Sequence, residues 1–199
     1  MIHLKNSAQI SAMKDAGRIT GEALLVARDM IRPGISTYEI DQAICRYIEK
    51  CGAVPAFKGY GGFPASACIS INDEVIHGIP SKSRIIREGD IVKVDVGACY
   101  RGYHGDSART FAVGHVDAAA QQLIDATKQS FYRGMEQALS GHRIGDVGHA
   151  IEERVRADGF SVVHDVHESL LLLKTRLGIL HNSQKAEVTH AHPEMDKQM

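Results

Sequence analysis

Two aspartates, Asp95 and Asp106, stand out in the stretch Ile91 to Val113, IVKVDVGACYRGYHGDSARTFAV. Lys93, Asp95 and Gly97 alternate with Val92, Val94 and Val96. In an extended strand this places Asp95 on the face opposite the valines. A turn at Cys99-Tyr100-Arg101-Gly102, centred between Tyr100 and Arg101, makes residues whose numbers sum to 201 face each other. Asp95 and Asp106 are such a pair, with Cβ atoms expected about 4.5–5.5 Å apart. Facing carboxylates repel unless they share a proton or a cation lies between them. Hard divalent cations take oxygen ligands, and two carboxylates at this spacing can bridge a pair of them. A hairpin with a solvated acidic face is the alternative from these residues alone.

His77 is the next residue with chemistry. It lies in Ser70-Ile71-Asn72-Asp73-Glu74-Val75-Ile76-His77-Gly78-Ile79-Pro80, which reads as a second hairpin turning near Asn72-Asp73. A lone histidine is commonly structural or exposed. Beside an aspartate pair it becomes a candidate for binding or proton transfer.

These residues need elements to hold them. Ser7 reads as the N-cap of a helix continuing to about Ile31, with Ile10, Met13, Ala16, Gly17, Thr20 and Leu24 at helical spacing. Pro33-Gly34 breaks it. A second amphipathic helix runs from Thr37 to Cys51-Gly52, with Ile40, Ala43, Ile44, Tyr47 and Ile48 on one face. Short β-rich runs follow at 66–71, 75–79, 91–98 and 103–113. Helices return at 118–139 and 144–157, and Phe160 to Val163 starts like a strand.

A shift of 107 residues aligns the two halves. Gly34 falls on Gly141, Ile40 on Val147, Ala43 on Ala150, Ile44 on Ile151, Ile48 on Val155 and Gly52 on Gly159. The pattern indicates a duplicated helix–helix–sheet unit whose second copy is incomplete. Glu168 to Leu180 is expected to form a short helix, and the polar end from Lys185 to fray.

The composition is ordinary for one globular chain of 199 residues, with a net charge of −1. No basic excess points to direct nucleic-acid binding, and no apolar run reaches the ~18 residues of a membrane span. The start, MIHLKNSAQ, lacks the apolar core of a signal peptide. Cys45, Cys51, Cys68 and Cys99 form no CxxC pair and read as reduced thiols, which suggests a cytoplasmic protein.

The stretches MKDAGRI, RPGIST, FKGYGGFPASACISINDEVIHGIP, EGDIVKVDVGA, GYHGDSARTF and GFSVV together resemble the type I methionine aminopeptidases of bacteria, over residues 1 to about 163. The resemblance implies the pita-bread fold, an α/β (α+β) duplication of the kind inferred above. It implies a metal-dependent hydrolase removing the initiator methionine from nascent proteins when the second residue is small. Two divalent ions per chain are implied, whether Co, Mn, Fe or Zn. Asp95 corresponds to a bidentate terminal ligand, and Asp106 to the aspartate bridging both ions. His77 corresponds to the histidine that hydrogen-bonds substrate near the scissile amide. Phe57, Tyr60, Phe63 and Cys68 fall where the family lines its methionine pocket. The partners implied are N-terminal Met peptides and the ribosome, with no membrane.

Residues 164–199 show no counterpart to the family's remaining ligands, a histidine and two glutamates, or to its second substrate histidine. They are expected to be a divergent tail, and on that count the chain is expected to turn over Met-Ala peptides poorly. The competing reading is an inactive relative or truncated product acting as a peptide- or ribosome-binding module.

Overall fold

The structure is a computed structural model that describes residues 4–162 and the backbone of residues 179–181. The expected helix and frayed end after residue 163 lie outside the described residues, except at 179–181. Those three residues form a strand, not the end of a helix.

The chain divides into two compact units, the first ending at His115 and the second beginning at Val116. The first opens with α1, Ser7–Met30. Its N-cap is Asn6, one residue before the expected Ser7. The Asn6 side chain accepts from the Gln9 amide, and the Gln9 side chain returns a bond to the Asn6 amide. α2, Thr37–Lys50, starts at Ser36, whose hydroxyl and amide are both bonded to Glu39. It ends where Gly52 takes a φ of 71°, in the left-handed region that glycine enters freely.

Four strands make the sheet of this unit: β1 (Val54–Pro55), β2 (Ala67–Ile71), β3 (Ile91–Tyr100) and β4 (Tyr103–Ala112). β3 is central. β4 pairs antiparallel along one edge, and β2 and β1 share the other. Val92, Val94, Val96 and Ala98 of β3 are fully buried and form one core with Ile40, Ile44 and Ile48 of α2 and Ile19 and Ala23 of α1. Burying each such branched side chain contributes about 1.5–3 kcal/mol. The helices therefore cover the valine face and leave the Lys93–Asp95–Gly97 face to other work.

Two expectations need correction here. The β3–β4 hairpin turns on Arg101-Gly102, with φ values of 51° and 79°, so Tyr100 pairs with Tyr103 and opposed numbers sum to 203 rather than 201. Two consecutive left-handed residues make a two-residue hairpin turn whose twist matches the strands. The second correction concerns residues 75–79, which form no strand. After the turn at Asn72-Asp73 the chain returns along β2, touching it through the Ile69 amide, which donates to the Gly78 carbonyl at 2.8 Å. His77 takes a φ of 60°, which breaks the extended run.

The second unit holds α3 (Ala118–Glu136), α4 (Ile144–Ala157), β5 (Phe160–Val162) and β6 (Ile179–His181), with β5 and β6 antiparallel. α3 stops three residues before the expected Leu139. Ala126, Val147, Ile151, Val155, Phe160 and Val162 form its core. α2 and α4 are each 14 residues long, and both boundaries differ by 107. The shared pattern extends to the caps, since the Arg143 amide donates to Asp146 as the Ser36 amide donates to Glu39. Gly34 and Gly141 have φ values of 90° and 91°, and Gly159 has 83° against 71° at Gly52.

Candidate metal and substrate site

Asp95 lies opposite Cys68 of β2 and Ala108 of β4, and Asp106 lies opposite Gly97. Asp95 and Asp106 are therefore diagonal neighbours on one face, not directly opposed residues. Diagonal positions lie about 7–8 Å apart between Cα atoms, with the Cβ atoms somewhat closer. Asp95 is buried at 6% exposure, whereas Asp106 is exposed.

Cys68 registers the convergence of these charges. Burial pushes its thiol pKa far above the ordinary value, and the fields of Asp95, Asp106 and Asp41 add to the shift. Lys93, two residues before Asp95 on the same strand face, is pushed down to about 8 by burial. Its ammonium donates to the Asn72 carbonyl.

An apolar cluster adjoins the carboxylates. Phe63, Ala65 and Cys68 are buried together, with Phe57 and Ile79 packed against them. Phe57 lies directly over Gly97, where a Cβ would come within 2.6 Å of its ring. Gly97 thus lets an aromatic ring approach the strand next to Asp95 and opposite Asp106. Of the four residues expected to line a methionine pocket, Phe57, Phe63 and Cys68 come together. Tyr60 does not join them. It sits in the single turn Tyr60–Gly62 and is 63% exposed. His77 is half-buried on the loop that returns along β2.

Three residues beyond those expected build this region. Asp41, on α2, is buried and accepts from the amides of Ser66 and Ala67 at 2.8 and 3.0 Å through one oxygen. It anchors the start of β2 two residues before Cys68. Burial holds its carboxyl above the ordinary pKa despite these bonds. Ala65 and Ile79 complete the apolar cluster. Nothing local in the sequence marks them, because their partners lie far along the chain.

Two hard oxygen donors on one face suit a divalent cation such as Mn or Co. No group of three His, Cys, Asp or Glu that could hold a metal occurs among the described residues.

Helices packed on one face of an antiparallel sheet, with paired carboxylates and an apolar cluster on the other, define the class. The model of metallopeptidase family M24 matches residues 11–190, and the chain belongs to that family. Within it, the chain is similar to the methionine aminopeptidase of Clostridium acetobutylicum, with 50% identity over 83% of this chain and 66% of that protein. Methionine aminopeptidase B of Synechocystis is 37% identical over 96% of this chain and 73% of its own length. The solved methionine aminopeptidase of Thermotoga maritima superposes with a TM-score of 0.81 at 40% identity, covering 83% of this chain and 66% of that one. The fold is the α/β pita-bread fold of these proteins. The chain spans about two thirds of the length of curated relatives such as the methionine aminopeptidases of Clostridium and Bacillus subtilis. No helix among the described residues is long and apolar enough to cross a membrane.

Proposed function

We propose that this protein is a divalent-metal-dependent aminopeptidase that releases the initiator methionine from nascent proteins whose second residue is small. What supports it is the placement of Asp95 and Asp106 on one sheet face beside the cluster of Phe57, Phe63 and Cys68. Relatives named methionine aminopeptidase support the enzyme reading over an inactive binding module. Residues 1–163 form the aminopeptidase-like part in this reading.

Asp95 and Asp106 would hold the metal, taken as two ions per chain, with Co, Mn, Fe and Zn all compatible with their oxygen donors. Metal held there would supply Lewis acidity for the scissile carbonyl and a stronger water nucleophile near neutral pH. The apolar cluster receives the thioether side chain, which its aromatic rings and the Cys68 sulfur suit chemically. His77 hydrogen-bonds the first peptide amide and holds it in line with the carboxylates. The substrate is an N-terminal Met peptide, met at the ribosome in the cytoplasm.

The test is methionine release from a Met-Ala-Ser peptide by the full chain, with added Mn²⁺ or Co²⁺ and with Asp106→Ala as control. Metal-dependent release that is lost in the variant, however slow, supports the proposal. No release with either metal, together with no Mn²⁺ binding that Asp106→Ala abolishes, overturns it.

A further inference from the structure

We infer that Arg84 is a positioning residue for His77, acting by clamping the loop that carries it to the edge of β2. The inference rests on the role given to His77 above. His77 holds a left-handed backbone conformation, with φ of 60°, that non-glycine residues rarely adopt. Such a conformation persists where its surroundings over-determine it, and it collects at functional sites. The surroundings here converge on Arg84. One guanidinium nitrogen, Nη1, donates to the Ile69 carbonyl of β2 at 3.0 Å and to the Ile79 carbonyl at 2.9 Å. It therefore bridges strand and loop two residues after His77. The other, Nη2, pairs with the Glu74 carboxylate, which accepts from the Ile71 amide at 2.8 Å. The clamp spans the loop from three residues before His77 to two after.

Gly78 shows how tight the closure is. Its amide donates to the Ser70 hydroxyl at 3.0 Å, and a Cβ there would overlap the Ile69 carbonyl. The strap bearing Arg84 is itself fixed, because the Thr37 amide donates to the Arg84 carbonyl at 2.9 Å. The planar fork of arginine serves three acceptors at once, which methionine or glutamine of similar length cannot do.

The experiment compares wild type with Arg84→Met and Arg84→Gln in the full chain. Three quantities are read: amide exchange at Gly78, the NMR cross-peaks of the His77 ring, and Mn²⁺ affinity by electron paramagnetic resonance. In Arg84→Met, Gly78 exchange should rise at least ~10-fold as the loop opens locally, and the His77 ring signals should move, while Mn²⁺ affinity stays within about twofold. On Met-Ala-Ser, kcat should fall about tenfold with KM changed less than twofold. Arg84→Lys should recover part of kcat. Unmoved His77 signals beside a lowered Tm would make Arg84 a purely structural residue and overturn the inference. If wild type does not turn over, the exchange and ring signals still decide, and the failure falls on the proposed function alone. If Arg84→Met does not fold, Arg84→Gln decides, since it keeps an amide donor but loses the Glu74 ion pair and the bridge between the Ile69 and Ile79 carbonyls. It should move the same signals in the same direction, and unmoved signals there overturn the clamp.

Discussion

Gly97 links the carboxylates to the apolar cluster, since it lies opposite Asp106 and under the Phe57 ring. Gly97→Ala places a methyl group against the Phe57 ring, 2.6 Å from its nearest atom in the present geometry. Overpacking of this kind costs about 1–3 kcal/mol. The ring must also leave its place, so KM for Met-Ala-Ser should rise more than kcat falls. Urea denaturation and steady-state kinetics check the two effects. Asp41 invites a second prediction. Asp41→Ala strands the buried amides of Ser66 and Ala67, and each unpaired amide costs about 1–3 kcal/mol. Asp41→Asn keeps an acceptor and should cost much less. Its pH dependence has a definite sign. The folded carboxyl titrates above its unfolded value of about 4. Its favourable contribution is thus present below that value and lost as pH rises through the raised folded pKa. The stability of wild type relative to Asp41→Asn should fall as pH rises above about 4 in urea melts. The face shared by Asp95 and Asp106 was legible from alternation, and the grouping of Phe57, Phe63 and Cys68 from family resemblance. Asp41 and Arg84 were not, because they bond to main-chain groups, which carry no residue identity.

Among the elements, the β3–β4 hairpin shows what alternation can and cannot determine. A strand pattern of period two assigns each residue a face. It does not separate an opposed-number sum of 201 from one of 203, since both keep Asp95 and Asp106 on the same face. Turn chemistry decides, and Arg101-Gly102 carries the left-handed pair. Asparagine is favoured at the first of these positions, so Arg101→Asn should stabilise the hairpin by up to about 1 kcal/mol. Gly102→Val should destabilise it by about 1–3 kcal/mol, because a β-branched residue resists φ of 79°. Thermal melts of both variants check the pair of signs. Helix α4 was legible to the residue, and α2 nearly so, since caps and apolar spacing agree there. The return arm after Asn72 was not, because its path follows the Arg84 clamp and the close approach of Gly78 to Ile69 rather than any local periodicity.

Across the molecule, close approaches at glycine bring the elements of each unit together. In the second unit Gly134 of α3 faces Ile151 of α4, and a Cβ would lie 2.6 Å from Ile151 Cγ1. Alanine is the better helix former by about 1 kcal/mol, but the clash opposes it with about 1–3 kcal/mol. Gly134→Ala should therefore lower stability by about 1 kcal/mol net, or roughly 3 °C in Tm. A calorimetric scan that shows a rise instead would mean α3 and α4 separate at little cost.

The glycine bends that frame α2 and α4 give the two helices matching points of entry and exit. The chain's directions of entry and exit are set by Gly34 and Gly52 in one unit, and by Gly141 and Gly159 in the other. A transplant of Ile144–Ala157 into the place of Thr37–Lys50 would meet ends already shaped for it. It would bring Val147, Ile151 and Val155 to the positions of Ile40, Ile44 and Ile48, and Gly148 to that of Asp41. The graft would conserve a helix and an apolar stripe while deleting the hold on β2. Scaffold and chemistry thus occupy separate positions within one repeating unit, and either can be exchanged while the other is kept.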